Sequence, residues 1–260
     1  MKASPLSRRK LSDQVVDKIK HWLMANNIKP GDRLPQEKEL IEIFGVARGT
    51  MREALKALEV QGLISIVAGR SGGAIIAEVG YETAAGLLGN YFYFQNLQAG
   101  QIYDLRQLVE PEMAVSAVDH LTKDDFDTLQ KLIEDCAKVE DTPEFRRQQR
   151  LDELEFHNVL AVRSPNALYS FTCRFINKVL ADQVVFKRMY QQRQLKIDHE
   201  NHTAHSELLA AYRARDKDRV HKAMTRHMVE CACHIVELDA IVQTRFFSDS
   251  PTTARQRTGL

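Results

Sequence analysis

Cysteine is scarce in this chain. Cys136, Cys173, Cys231 and Cys233 are the four, and no two stand as C-x-x-C. That spacing excludes a disulfide-stapled scaffold and a four-cysteine zinc ribbon, and it points to reduced thiols in a cytoplasmic protein. Long apolar runs are missing too. None reaches the roughly 20 residues a bilayer-spanning helix needs, so no membrane partner is expected. The basic start, Met1 to Lys10, has no apolar stretch behind it and does not read as a secretory signal. Overall charge is also nearly absent, at +1. The balance hides an asymmetry, because residues 1–80 carry 13 Lys/Arg against 9 Asp/Glu and the remainder 23 against 26. A basic front with an acidic back fits nucleic-acid binding by the front alone. Proline and glycine become sparse after Gly80, and strand-like alternation disappears with them.

The front 80 residues hold the punctuation. Leu11, Val15, Ile19 and Leu23 recur at four-residue steps, which predicts a helix over 11–26 with one buried face. Lys29-Pro30-Gly31-Asp32 is a turn signal, and Leu34-Pro35 reads as extended. Helices follow at about 36–44 and 48–61, split by a turn at Gly45 and stopped by Gly62. Residues 63–67 and 74–79 read as strands around the glycine-rich Gly69-Arg70-Ser71-Gly72-Gly73. Three helices and a hairpin make the winged helix-turn-helix plan. The helix from 48 carries Arg48, Thr50 and Arg52 at its tip and an apolar stripe behind. Such a helix can be anchored in a core while its tip enters a DNA major groove.

Beyond Gly80 the periodicity predicts helices at about 82–95, 101–119, 123–139, 143–162, 166–190, 197–214 and 217–243, with Pro111 expected to bend the second. The fold class expected is therefore mainly α: an N-terminal winged helix-turn-helix (1–80) joined to a C-terminal antiparallel all-α bundle (81–247). Residues 248–260 have almost nothing to bury and read as a disordered tail.

The front resembles GntR-type bacterial regulators. Their pattern is matched by Pro30-Gly31-Asp32-Arg33-Leu34-Pro35, Glu37, Leu40, Gly45-Val46, Arg48, Arg52-Glu53-Ala54-Leu55, Leu58, Gly62-Leu63 and Gly72-Gly73. The resemblance implies that Arg48 and Arg52 contact bases and phosphates, a bidentate arginine–guanine pair giving ~1–3 kcal/mol of discrimination. It also implies that Thr50 meets a phosphate or a thymine methyl, that Lys38 reaches the groove, that Arg33 touches the DNA backbone, and that Gly69 enters the minor groove with the wing. Ala47 and Gly49 stand where the family more often has hydroxyl side chains.

The back half resembles the all-helical ligand-binding (FCD-type) domain of the FadR-like branch, at Glu153, His157, His205 and His227. Their placement carries its own chemistry. Glu153 and His157, at i and i+4, share a helix face. His205 and His227 are equidistant from the turn at Arg215-Asp216-Lys217-Asp218, so they stand at one height on an antiparallel helix pair. Three imidazoles and one carboxylate suit a divalent metal such as zinc, with nickel or manganese as other candidates. The family more often has aspartate at position 153. By the same resemblance Arg106 lies near a ligand cavity, where it would grip the carboxylate of a small acid; an ion pair with Glu110 at i+4 is its other reading. His199 and His202 read as solvated residues at a helix start, Cys231 as core, and Asn166 as a helix cap.

The expected function is a ligand-responsive transcription regulator and not an enzyme: a homodimer on double-stranded DNA at a short inverted repeat, controlled by a small carboxylate effector. A direct metal sensor is the alternative. A helical metalloenzyme is less favoured, because no general base stands beside the expected ligands.

Overall fold

The computed structural model of the protein describes residues 10–67, 72–95, 97–138, 140–187 and 195–248, and for 93, 183–187 and 235–248 the backbone alone. The chain divides into two compact units between Tyr91 and Phe92.

The first unit opens with α1 (Leu11–Ala25), α2 (Glu37–Phe44) and α3 (Arg48–Val60), followed by β1 (Ile64–Val67) and β2 (Gly73–Ile76). A capping box starts α2: Glu39 reaches back to accept from the Gln36 amide at 2.8 Å. Gly45 ends it in the left-handed region at φ 63°, a conformation glycine adopts without steric cost. Gly45 and Val46 both donate to the Ile41 carbonyl, which turns the chain sharply into α3. The strands pair antiparallel with Ile64 opposite Ile76 and Val67 opposite Gly73. The extended Leu34 segment joins their outer edge, with an isolated bridge from Arg33 to Ile75 and a bond from the Leu34 amide to the Ala74 carbonyl. Val15, Ile19, Leu34, Leu40, Met51, Leu55, Leu58, Ile64 and Ile76 form one core, and α3 packs on α1, α2 and β1. The unit continues into α4 (Tyr81–Tyr93).

The second unit is helical throughout its described residues: α5 (Ala99–Ala117), α6 (Lys123–Cys136), α7 (Pro143–Val162), α8 (Ala167–Lys187), α9 (Leu195–Arg213) and α10 (Lys217–Ser248). Helix α5 runs unbroken through Pro111. The expected helices are all present, with ends displaced by a few residues. Helix α10 continues to Ser248, where the periodicity predicted an end near 243. Most of the tail expected to be disordered, 249–260, lies outside the described residues. In this bundle α5 packs on α7, α8 and α10, while α9 packs on α6 and α10. Its core gathers Met113, Leu129, Phe156, Leu160, Leu208, Tyr212, Met224 and Met228. Tyr212 donates its hydroxyl to the Ala114 carbonyl at 2.9 Å, so a buried bond ties α9 to α5. Asn166 accepts from the Leu168 and Tyr169 amides and caps α8. No helix among the described residues is long and apolar enough to cross a membrane.

Candidate nucleic-acid interface and metal centre

The two faces of α3 are sharply different. Met51, Ala54, Leu55 and Leu58 are buried, while Arg48 and Arg52 are exposed and Thr50 is half-buried. The helical repeat enforces this division, because residues at i and i+4 share a face. Arg48 Nε lies 3.0 Å from Glu37 Oε1, in an ion pair whose arginine is 79% exposed. Such a pair is weak in water and exchanges readily for a phosphate or a base edge. Lys38 is exposed on α2 and Arg33 on the extended segment before it. Ala47 occupies the N-cap of α3 and gives no side-chain cap. The first amides of α3 thus keep their partial positive charge and their donors for an anion. Gly69 lies outside the described residues.

Inside the second unit three imidazoles converge. His157 on α7, His205 on α9 and His227 on α10 are all buried. His205 Nε2 lies 3.3 Å from His157 Nε2 and 3.1 Å from His227 Nε2. One ligand atom from each ring falls within 4.8 Å of the others. An ion bound by imidazole at about 2.0–2.1 Å sets neighbouring ligand nitrogens roughly 3.0–3.4 Å apart, so the two spacings from His205 fit a metal. Phe156 stacks on His205 at 4.0 Å and fixes its ring. Burial, with the neighbouring cationic groups, holds His205 and His227 well below the ordinary imidazole range. They are neutral, as a ligand must be.

Glu153 does not join this cluster. Its carboxylate accepts from Arg150 Nη1 at 2.8 and 3.1 Å, and Arg150 also holds Asp198. Burial pushes Glu153 up from the usual carboxylate range, against the pull of Arg150. Arg106 is buried on α5 with its Nε 2.5 Å from Glu110 Oε1, and its guanidinium lies over the Tyr103 ring at 5.0 Å. Its Nη2 is buried and makes no hydrogen bond. The partner that sequence reasoning gave Arg106 as an alternative is therefore present, and one more donor is left over. The sequence reading missed the other side of Glu110: its Oε2 lies 2.6 Å from His157 Nδ1. Burial alone would raise the Glu110 pKa, but Arg106 and His157 overcome it and hold the carboxyl below its ordinary range. His199 is exposed, and His234 pairs with Glu200 at 2.7 Å. Cys231 Sγ lies 3.6 Å from His227 Nδ1, beside the cluster.

An exposed cationic helix tip on a three-helix head, followed by a helical unit with a buried histidine cluster, defines a two-part DNA-binding regulator. The chain belongs to the GntR family of bacterial regulatory proteins, whose model matches residues 11–72, and carries an FCD domain over 101–230. It is therefore a transcription regulator, as its relatives are. It is 28% identical over 234 residues to the HTH-type transcriptional repressor NanR of Escherichia coli K12, covering 88% of this chain and 85% of that one. The NanR of Enterobacter sp. is likewise 28% identical, over 88% of this chain and 86% of its own. Among solved structures, Streptococcus agalactiae GntR shares the fold with a TM-score of 0.58 and 23% identity, covering 86% of this chain and all of that one.

Proposed function

We propose that this protein is a cytoplasmic, homodimeric repressor of an inverted-repeat operator, controlled by a small carboxylic acid that binds at a metal held by His157, His205 and His227. The observation that carries the reading is the convergence of three buried imidazoles, one of them linked through Glu110 to a buried arginine whose Nη2 makes no hydrogen bond. Three protein nitrogens leave coordination positions open, and the free amino group of Arg106 supplies a second contact for an anion. Zinc suits three imidazoles, and nickel and manganese are the other candidates. Glu153 would become a fourth ligand only by exchanging Arg150 for the ion. On the DNA side, Arg48, Arg52 and Thr50 would read the major groove, Arg33 and Lys38 would hold the backbone, and the wing around Gly69 would reach the minor groove. Dimerisation is supported by exposed Leu105 and Leu108 on α5 and Leu168 on α8, apolar groups that a second copy would cover. The names of the NanR relatives favour repression over activation.

The test is metal analysis of protein purified without added chelator, followed by calorimetry with a panel of carboxylic acids and a mobility shift on operator DNA. One equivalent of metal per chain, and an acid that binds and changes operator affinity, are expected. Metal-free protein that cannot be loaded would overturn the metal centre. The pairing of Arg106 with Glu110 favours a second reading, in which the ion itself is the signal. That reading wins if no acid binds and metal alone changes operator affinity.

A further inference from the structure

Glu110 is fully buried, and its two oxygens lie against groups on different elements, Oε2 in a close contact with His157 Nδ1 that is not aligned as a regular hydrogen bond. Oε1 meets Arg106 Nε one helical turn away on α5, at 2.5 Å. Oε2 meets His157 Nδ1 on α7, at 2.6 Å. A neutral imidazole carries one proton on one of its two nitrogens, and an ionised carboxylate only accepts. With Oε2 at Nδ1, the favoured tautomer has its proton on Nδ1 and its lone pair on Nε2. That is the nitrogen facing His205. A carboxylate behind a ligating histidine fixes ring orientation and raises ligand basicity. Arg106 in turn fixes the carboxylate, since a bare charge at that depth would be costly without a counter-ion.

We propose that Glu110 is a positioning residue that sets His157 in its Nδ1–H form and so makes Arg106, which makes no hydrogen bond to any of the three imidazoles, a determinant of metal affinity. The proposal rests on the metal centre put forward above and names the connection between that centre and the arginine expected to hold the effector. An anion drawn to Arg106 would then be felt at His157 through one intervening carboxylate.

The experiment uses the full chain, metal-free and labelled with 15N, with zinc as the probe. Long-range proton–nitrogen correlation spectra report the tautomer of His157, assigned against His157→Asn. Zinc affinity is read by competition with a chromophoric chelator. In the wild type His157 should carry its proton on Nδ1. In Glu110→Gln the amide can donate to Nδ1, so the Nε2–H form should appear and zinc affinity should fall about 10–100-fold. Arg106→Met should also weaken zinc, and Arg106→Met/Glu110→Gln should bind no more weakly than Glu110→Gln, because both act through one group. The double variant removes both charges, so the comparison survives if Glu110→Gln alone leaves an unpaired arginine and fails to fold. A wild-type His157 protonated on Nε2, or full zinc affinity in folded Glu110→Gln or in the double variant, would overturn the proposal. If the wild type binds no zinc, the metal reading fails, while the tautomer still decides whether Glu110 sets His157.

Discussion

Among the described residues Arg48 pairs with Glu37, 3.0 Å away, and no such ion pair is found for Arg52. Both side chains are therefore available to DNA at little cost, since exposed ion pairs contribute ~0–1 kcal/mol. Arg48→Ala and Arg52→Ala should each abolish specific operator binding in a mobility shift while leaving the protein folded. Retained specific binding by both would remove α3 from the reading role. Their exposed place on α3 was legible in the sequence because the pattern is local: a cationic helix tip and an apolar stripe lie within one short segment. His205 and His227 were legible for a related reason, since two helices joined by a short turn fix which residues stand level. The contact between Glu110 and His157 was not legible. It joins two helices that are not consecutive, and no spacing along the chain specifies which face of α5 meets α7. Nor could periodicity reveal that Arg150 takes the Glu153 carboxylate, because both face assignments for Glu153 and Arg150 fit the same helix.

At the scale of elements, the helices were readable because nearly all bury one stripe, and the stripe sets the 3.6-residue period. Their ends were read less well where caps are weak. Helix α6 is the counter-example, because its start is fixed by side chains. Thr122 and Asp125 form a capping box, with the Thr122 amide 2.7 Å from Asp125 Oδ2. The same carboxylate receives Arg163 from the end of α7, Nη2 to Oδ1 at 2.9 Å and Nε to Oδ2 at 2.7 Å. One aspartate thus closes the start of α6 and ties it to α7. Burial pushes Asp125 up, but the hydrogen bonds from Arg163 and Thr122 override it and lower its pKa. The sign of the pH effect follows. A carboxyl with a lowered folded pKa stabilises fully above its unfolded value of about 3.9, and that contribution is lost as pH falls through the lowered value. Arg163→Met should therefore be less stable than wild type at pH 7 in urea unfolding, and the gap should narrow below about pH 4. A gap that stays constant from pH 7 to 3 would show that Arg163 acts by packing and not through Asp125.

At the scale of the whole molecule, regulation requires that ligand and operator bias one equilibrium. The charge asymmetry favours polyanionic DNA at the basic front, whereas the proposed ligand site lies among the bundle's buried histidines. The two sites share no residue, so any effect of one on the other must pass through a change that both ligands favour or oppose. Thermodynamic linkage makes this testable without knowing the route. If a bound acid changes operator affinity by some factor, the operator must change acid affinity by the same factor, typically ~5–150-fold for a coupling of ~1–3 kcal/mol. The prediction is an equality between two independent measurements: operator binding by fluorescence anisotropy at saturating and zero acid, and acid binding by calorimetry with and without saturating operator. Both must be made at one salt concentration, because phosphate contacts make DNA affinity fall steeply with added salt. A factor seen in the first and absent from the second would mean that the acid acts by another route, such as stripping the metal from His157, His205 and His227 into solution. In that case adding excess metal would restore operator affinity to its acid-free value, whereas an acid acting on the intact centre would keep its effect at any metal concentration.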